Sequence, residues 1–195
     1  MGTLKPSPLS NQSGAAIVLV VLILAAAVII GVTAISTSTT ELQIATQDAR
    51  HKIAFYAADG GTEYGAELVE QNIACPGGFS VTTVGNVEVE NTSRSFWMNA
   101  SAARPTDTDR DFYFPSGYAA GEPHTNLSVG GVTELAAGGA IQMAAGYEGK
   151  GKGAPSGGAH IVYDIFAEHL GRFNSKALVR LQWRHVIGQE GACLY

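Results

Sequence analysis

The sequence contains few of the residue patterns that enzymes use. Its five histidines do not form a metal-ligand spacing such as H-x-x-x-H, and no serine or cysteine lies in a nucleophile motif. The formal net charge of −5 includes no run of basic residues, which argues against nucleic acid as a partner. These absences predict a protein that is not an enzyme and that has no cofactor.

One glycine-rich stretch, GYEGKGKG at residues 146–153, comes close to a phosphate-binding loop but lacks its last ligand. Gly146, Gly151 and Lys152 have the spacing of the G-x-x-x-x-G-K-[ST] motif. Gly153 replaces the hydroxyl residue that would hold magnesium, and the APSGGA that follows is unsuited to beginning a helix. The stretch therefore predicts a loop rather than a phosphate site.

Three alternating aspartates, Asp107, Asp109 and Asp111 in TDTDRD, form a weak candidate for a calcium site. Calcium takes several carboxylate oxygens, and extracellular sites can be weak. The EF-hand pattern fails, because Phe112 and Tyr118 stand where the turn glycine and the bidentate glutamate belong. We interpret the stretch as a solvated loop, with calcium binding as the alternative.

Charge is absent from Ala15 to Ile35, and this absence defines the most informative segment of the chain. A helix of 21 residues spans about 30 Å, the thickness of the hydrocarbon core of a bilayer. A secretory signal has a shorter apolar region of about 7 to 15 residues. The segment therefore predicts a membrane-spanning helix. The positive residues nearby, Lys5, Arg50 and Lys52, do not decide its orientation.

Proline is absent between Pro8 and Pro76, so the helix is expected to continue beyond the apolar segment to about residue 74. The weak point of this helix is Ser36 to Thr40, where hydroxyl and β-branched side chains disfavour helix, and a local break there is the alternative to one unbroken helix. Apolar or small residues recur every three or four positions after it and predict one stripe that packs on a sheet. The stripe comprises Leu42, Ala45, Ala49, Ile53, Tyr56, Gly60, Tyr64 and Leu68.

After residue 76 the period changes from that of a helix to that of strands. Side chains at residues 87–90 and 177–187 alternate with the two-residue period of a strand. A second predicted strand, His160 to Glu168, is joined to the strand at 177–187 by a loop at 169–176. We expect an α+β fold in which the long amino-terminal helix packs on a small antiparallel β-sheet. The residues predicted to make this helix–sheet contact are Ile53, Tyr56, Tyr64, Leu68 and Trp183.

The chain has two cysteines, Cys75 at the end of the predicted helix and Cys193 near the carboxy terminus. In an oxidising compartment a disulfide between them would fasten the terminus to the helix. Closure of so long a loop is worth roughly 4 to 5 kcal/mol on the chain-entropy model. The alternative is two unrelated thiols.

The amino-terminal residues resemble those of type IV pilins. A short polar leader that ends in Gly14, directly before the apolar segment, resembles the class III signal of prepilins. The stretch TSTTELQIATQDARHKIAFYAADGGTEYG resembles the amino-terminal domain of PilX-type pilus assembly proteins, which includes the pattern at Ala54 to Gly61. This resemblance covers roughly residues 13 to 70, and residues 76–195 resemble the carboxy-terminal region of PilX-like proteins.

The resemblance implies a specific processing and assembly route. A prepilin peptidase would cut between Gly14 and Ala15, and the helix would wait in the bacterial inner membrane with the globular domain outside the cytoplasm. Other pilins and the assembly machinery would then take the helix into a pilus on the cell surface. The expected filament-core residues are Ile17, Val18, Leu19, Val21 and Leu22. Leu19 stands where major pilins have a glutamate, which favours a minor subunit that acts in initiation or tip assembly.

This reading divides the chain into a leader (1–14), a transmembrane or filament-core helix (15–35), an amphipathic continuation (36–74) and a glycine-rich sheet domain (75–195). Two other classes stay open. One is a pseudopilin of a type II secretion system, which an operon neighbour would distinguish. The other is a plain membrane-anchored periplasmic domain, which would keep its leader. An adhesive role at the pilus tip, regulated by calcium, is a smaller alternative.

Overall fold

The structure, a computed structural model, describes residues 13–75, 77–135, 159–188 and 191–194. The glycine-rich loop at 146–153 and residues 1–12 of the predicted leader lie outside the described residues. Residues up to 48 and residues from 49 onwards form two compact units. The elements in chain order are α1 (Ser13–Ala74), β1 (Thr83–Val84), β2 (Val87–Val89), β3 (Phe112–Phe114), β4 (His124–Leu135), β5 (Ala159–Leu170), a 3₁₀ turn (Arg172–Asn174) and β6 (Lys176–Val186).

Helix α1 is continuous through Ser36 to Thr40, so the alternative of a local break there is wrong and the long helix is confirmed. The hydroxyl groups that would compete with the helix instead donate to its own carbonyl oxygens one turn earlier. Thr37 Oγ1 donates to the Thr33 oxygen at 3.0 Å, and Thr40 Oγ1 donates to the Ser36 oxygen at 2.9 Å. The side chains are thereby satisfied within the helix, and the segment keeps its helical backbone.

Within the described residues, six strands form one antiparallel sheet in the order β1-β2-β3-β4-β5-β6, so each of them pairs with the next described strand. The predicted strands at 87–90, 160–168 and 177–187 are present as β2, β5 and β6, and the α+β fold is confirmed. The predicted loop between β5 and β6 contains Phe173 and Asn174, both with positive φ. Strand β4, which pairs with β5 over twelve residues, was not predicted.

The face of α1 that packs on the sheet differs from the predicted stripe. Ile53 and Tyr56 are 66% and 69% exposed, whereas Ala54 and Ala58 are 1% and 0% exposed. The prediction that Ile53 and Tyr56 pack on the sheet is therefore wrong. Tyr64 is about half exposed and its ring lies 6.2 Å from that of Phe114.

Small residues make this contact because the helix and the sheet approach closely. A Cβ atom at Gly65 would lie 2.6 Å from Ile165 Cγ2, and one at Gly61 would lie 3.1 Å from Ala167 Cβ. Larger side chains at these positions would hold the helix away from β5. Of the predicted stripe, Leu68 is fully buried, because it lies beyond this close approach and enters the main core.

The core lies between the last turns of α1 and the inner face of the sheet. Its fully buried side chains include Val69 and Ile73 from α1 and Ile165 from β5. Tyr163 is also fully buried, and its hydroxyl group donates to the Phe96 oxygen at 2.6 Å, while burial raises the pKa of this tyrosine. The core thus includes the segment between β2 and β3 as well as the regular elements.

Cys75 and Cys193 form a disulfide with a Cα–Cα distance of 4.8 Å. The bond joins the residue that follows α1 to the end of the chain, across 118 residues of sequence. It therefore encloses every strand of the sheet in one covalent loop.

The close helix–sheet contact predicts that a larger side chain is tolerated at one of two nearby helix glycines and not at the other. Gly65→Val should lower the free energy of unfolding by about 2 kcal/mol, because the added atoms overlap Ile165. Gly60→Val is the matched control and should change it by less than about 0.5 kcal/mol, because no atom lies within 4 Å of a Cβ there. Because Trp97 and Trp183 both belong to the second unit, urea unfolding followed by tryptophan fluorescence measures the free energy of unfolding of this unit. Equal stability of the two variants would contradict the close approach.

The disulfide predicts a large difference between oxidised and reduced protein. Reduction, or the Cys193→Ser substitution, should lower the free energy of unfolding by about 4 to 5 kcal/mol through a larger unfolded-state entropy. The same fluorescence titration, with and without reductant, measures the loss. A variant in which both cysteines are serine should not respond to reductant. An unchanged midpoint after reduction of the native protein would show that the bond does not form.

Candidate functional site

The first unit presents large apolar side chains on every side of the helix. Ile17, Val18, Leu19, Val21 and Leu22, the predicted filament-core residues, are all more than half exposed. The other exposed large apolar residues between positions 15 and 35 are Val20, Ile23, Leu24, Val28, Ile29, Ile30, Val32 and Ile35. A helix that is apolar on all sides requires lipid or other helices around it.

This helix is long and apolar enough to cross a membrane by its length and composition, with a mean hydropathy of 3.3 in its most apolar window. Burial of one such Val, Leu or Ile side chain is worth about 1.5 to 3 kcal/mol, so exposure of the whole segment to water is strongly unfavourable. The one hydroxyl group within the segment, Thr33 Oγ1, donates to the Ile30 oxygen at 2.9 Å. That side chain therefore brings no unpaired donor into an apolar environment.

The predicted cleavage residues, Gly14 and Ala15, lie in the first turn of α1 and are exposed. A Cβ atom at Gly14 would meet no other atom within 4 Å among the described residues. Packing in the described part of the chain thus gives no reason for glycine at this position. Leu19 is exposed like its neighbours, and the described residues from 14 to 35 contain no charged side chain.

In the second unit, Glu70 fastens α1 to the edge strand β6. Its two carboxylate oxygens accept from Trp183 Nε1 at 2.6 Å and face His185 Nδ1 at 2.8 Å. The ring of Trp97 packs edge-on against that of His185, and its Nε1 donates to the Ile73 oxygen at 3.1 Å. Trp183, predicted to pack on the helix, therefore reaches it through a hydrogen bond while its ring stays partly exposed. Sequence reasoning missed Glu70, because its polar partners lie over 110 residues away.

A second surface of α1 in this unit carries the aromatic and aliphatic side chains that the sheet does not cover. Ile53, Phe55 and Tyr56 are exposed, and the Phe55 and Tyr56 rings meet edge-on at 5.7 Å. These residues belong to the stripe and pattern that the sequence analysis singled out. In the structure all three lie on the exposed surface of the helix, and only Phe55 and Tyr56 contact each other.

The three aspartates of the calcium alternative do not converge. Asp107 Oδ1 accepts from Asn126 Nδ2 at 2.7 Å and faces His124 Nε2 at 2.8 Å, and the His124 contact is the main cause that lowers its pKa. Asp111 is buried, pairs with Arg94 and accepts from the Val129 N–H at 2.7 Å.

Burial raises the pKa of Asp111. Asp109, by contrast, is not buried and lies in an exposed turn with Thr106. Among the described residues, no group of three or more His, Cys, Asp or Glu side chains could hold a metal ion. The interpretation of this stretch as a solvated loop thus holds for Asp107 and Asp109, which are exposed, but is wrong for the buried Asp111.

The amino-terminal part of the chain matches a family model. Residues 13–63 match the model described as PilX N-terminal, which confirms the resemblance seen in the sequence over this segment. The match includes the exposed apolar part of α1 and the Ala54 to Gly61 pattern, and it ends before the first strand. No curated protein and no solved structure matches the chain.

The buried imidazole of His169 predicts loss of stability in mild acid. Burial, with a smaller contribution from His124, lowers its pKa in the folded protein. The unfolded chain therefore takes up the proton first, so stability is complete above about pH 6.5 and falls as pH drops below it. Urea midpoints measured between about pH 7.5 and pH 5 should decrease for the native protein.

His169→Gln is the control for this pH dependence, since an amide can keep a hydrogen bond to Thr125 Oγ1, which lies 2.9 Å from His169 Nδ1. The variant should show a smaller decrease over the same pH range. Comparison at each pH removes the contributions of Asp107 and Asp111, which are common to both proteins. Identical slopes would show that His169 does not titrate differently on folding.

Proposed function

Because residues 13–63 match the PilX N-terminal model, we propose that the protein is a minor pilin of the PilX type that acts in initiation or tip assembly of a type IV pilus. It has no catalytic role in this proposal. The observation that carries it is the apolar surface on all sides of α1 within the matched segment. That surface needs lipid before assembly and neighbouring helices after it.

Processing begins at the amino terminus. A prepilin peptidase removes residues 1–14, and Ala15 becomes the first residue of the mature protein. The absence of any described packing contact at Gly14 supports a role for this glycine in recognition rather than in folding. The mature chain then consists of a core helix (15–35), its continuation (36–74) and the sheet domain (75–195).

Before assembly the helix lies in the inner membrane and the sheet domain lies outside the cytoplasm. The Cys75–Cys193 disulfide supports this side, because disulfides persist in oxidising compartments and are rare in the cytoplasm. Assembly then exchanges lipid contacts for contacts with other pilins. Since lipid tails are as apolar as leucine, packing between helices rather than the hydrophobic effect must drive this exchange.

Leu19 supports a minor rather than a major subunit. An ionised carboxylate in an apolar helix bundle is costly unless it is paired, so a glutamate at this position would direct the helix to one partner. The side chain of Leu19 makes no such demand and suits contacts with several related helices. The proposed partners are other pilins, the assembly machinery and, during processing, the prepilin peptidase.

The amino-terminal residue of the protein from cells tests this proposal. Mass spectrometry of membrane and sheared surface fractions should find Ala15 as the first residue in both. Gly14→Val should leave the leader in place and remove the protein from the sheared fraction. Gly31→Val is the matched control within the same helix, since a Cβ there also meets no atom within 4 Å, and it should be processed normally.

An intact Met1, or Gly2 after removal of the methionine, found only in the membrane would make the protein a plain anchored domain and overturn the proposal. Processing at Ala15 without any protein in sheared material would favour the secretion pseudopilin. An operon that encodes type II secretion components would support that second outcome.

A further inference from the structure

The outer face of the sheet, opposite α1, contains a hollow next to β3 and β4. Along β3 and β4, Phe112 and Leu127 point into the core, so Tyr113 and Asn126, which pair with each other, point to the other face. The hollow has a volume of about 380 Å³. It is lined by Asp107, Arg110, Tyr113, Tyr118, Ala120, Gly121 and His124.

The walls of the hollow are held in place before any ligand arrives. The rings of Tyr118 and His124 are stacked at 3.9 Å, and the Arg110 guanidinium lies 3.7 Å from the centre of the Tyr113 ring. Arg110 also donates to the Tyr118 hydroxyl oxygen at 2.9 Å and to Asn126 Oδ1 at 2.7 Å. Such mutual support reduces the entropy that binding would cost.

Two polar side chains in these walls are buried, and whereas both ring nitrogens of His124 have partners, the hydrogen-bond partners of Arg110 are incomplete. The side chains of Arg110 and His124 are only 9% and 6% exposed. Among the described residues, buried Arg110 Nε has no hydrogen-bond partner, and Glu90 Oε2 lies 3.6 Å from it, beyond hydrogen-bond distance. Buried polar groups of this kind are typical of binding sites rather than of structural cores.

The charges in the hollow select the class of ligand. Asp107 has a lowered pKa and is ionised at neutral pH, so an organic anion would meet its negative charge. An organic cation would meet the positive charge of Arg110, which also lines the hollow. An apolar ligand would cover the Asp107 side chain, which is 55% exposed, without replacing its hydration. A neutral ligand that has hydroxyl groups on its edge and an apolar face meets none of these objections.

We propose that this hollow binds one ring of a neutral sugar. The apolar C–H face of a pyranose packs on the tyrosine ring surface that Arg110 and His124 leave uncovered, and a hydroxyl group donates to Asp107 Oδ2, for which the described residues provide no partner. The volume of about 380 Å³ is at the small end of ligand pockets and accommodates one ring. The ligand is therefore a neutral glycan, and the outer face of the sheet is its binding surface.

Purified full-length protein in a detergent without a sugar head group tests this site. The neutral probes are the methyl glycosides of glucose, galactose, mannose and N-acetylglucosamine. The charged probes are glucosamine and N-acetylneuraminic acid. Saturation-transfer NMR titrations should give a Kd on the order of 1 mM for at least one neutral glycoside and at least about tenfold weaker binding of both charged sugars.

Two variants locate the binding on the protein. Ala120→Trp should fill the hollow and weaken binding at least about tenfold, whereas Ala119→Trp, at an exposed neighbour outside the lining, should bind as the native protein does. Asp107→Asn should weaken binding by a similar factor. Tryptophan fluorescence in urea checks that each variant keeps its fold.

The proposal fails if no neutral glycoside shows saturation transfer, if charged sugars bind as tightly, or if Ala120→Trp and Ala119→Trp bind alike. It also fails if Asp107→Asn binds as tightly as the native protein while both remain folded. Because the experiment uses purified protein, its result is independent of leader processing and of assembly into a filament.

Discussion

The close approach of α1 to β5 is the constraint on which the rest of the second unit depends. Ala54, Ala58, Gly61 and Gly65 leave no bulk between the helix and the sheet, so the sheet can reach the backbone of the helix. Only in the last turns do large side chains enter, where Leu68, Val69 and Ile73 meet the core. The same turns place Asn72 to donate to the Arg94 oxygen and accept from the Phe96 N–H, which positions the long segment before β3. The helix thus organises irregular backbone as well as the strands.

Much of the fold could be predicted from local sequence patterns. The parts that could not be predicted depend on contacts between residues far apart in the sequence. The end of α1 could be predicted from the proline at position 76, strand β5 from its β-branched and aromatic residues, and strand β6 from its alternation, with Val179 and Leu181 on one face and Arg180 and Gln182 on the other. Strand β4 has polar or glycine residues where a predicted strand needs large ones. Its Gly130 allows the backbone at 100–102 to pass closely, and Gly131 leaves room for the Tyr163 ring. Those reasons exist only in the tertiary structure. The choice of helix face failed because size was equated with burial, whereas close packing favoured the smallest residues.

The functional residues likewise include some that could be predicted from local sequence and some that could not. The apolar segment could be found from sequence, because its property is the plain absence of charge over a membrane-spanning length. The aspartates of TDTDRD could not be interpreted locally, because their partners come from β4: Asn126 and His124 for Asp107, and Val129 for Asp111. The aspartates are neighbours in sequence, but their side chains make separate contacts in the structure. The outer-face hollow was likewise invisible in sequence, since its aromatic and charged residues come from a loop, a strand edge and a turn that no single pattern joins.

The disulfide has a mechanical consequence for a chain that is held by its helix. A pulling force on α1 reaches Cys75 directly after the last helical turn, and the covalent bond carries it to Cys193 at the other end of the chain. The strands that the structure describes lie between these two cysteines in sequence, inside the loop that the bond closes. Tension between the helix and the carboxy terminus therefore bypasses the hydrogen bonds of the sheet. The strands keep their register under a load that would otherwise separate them one after another.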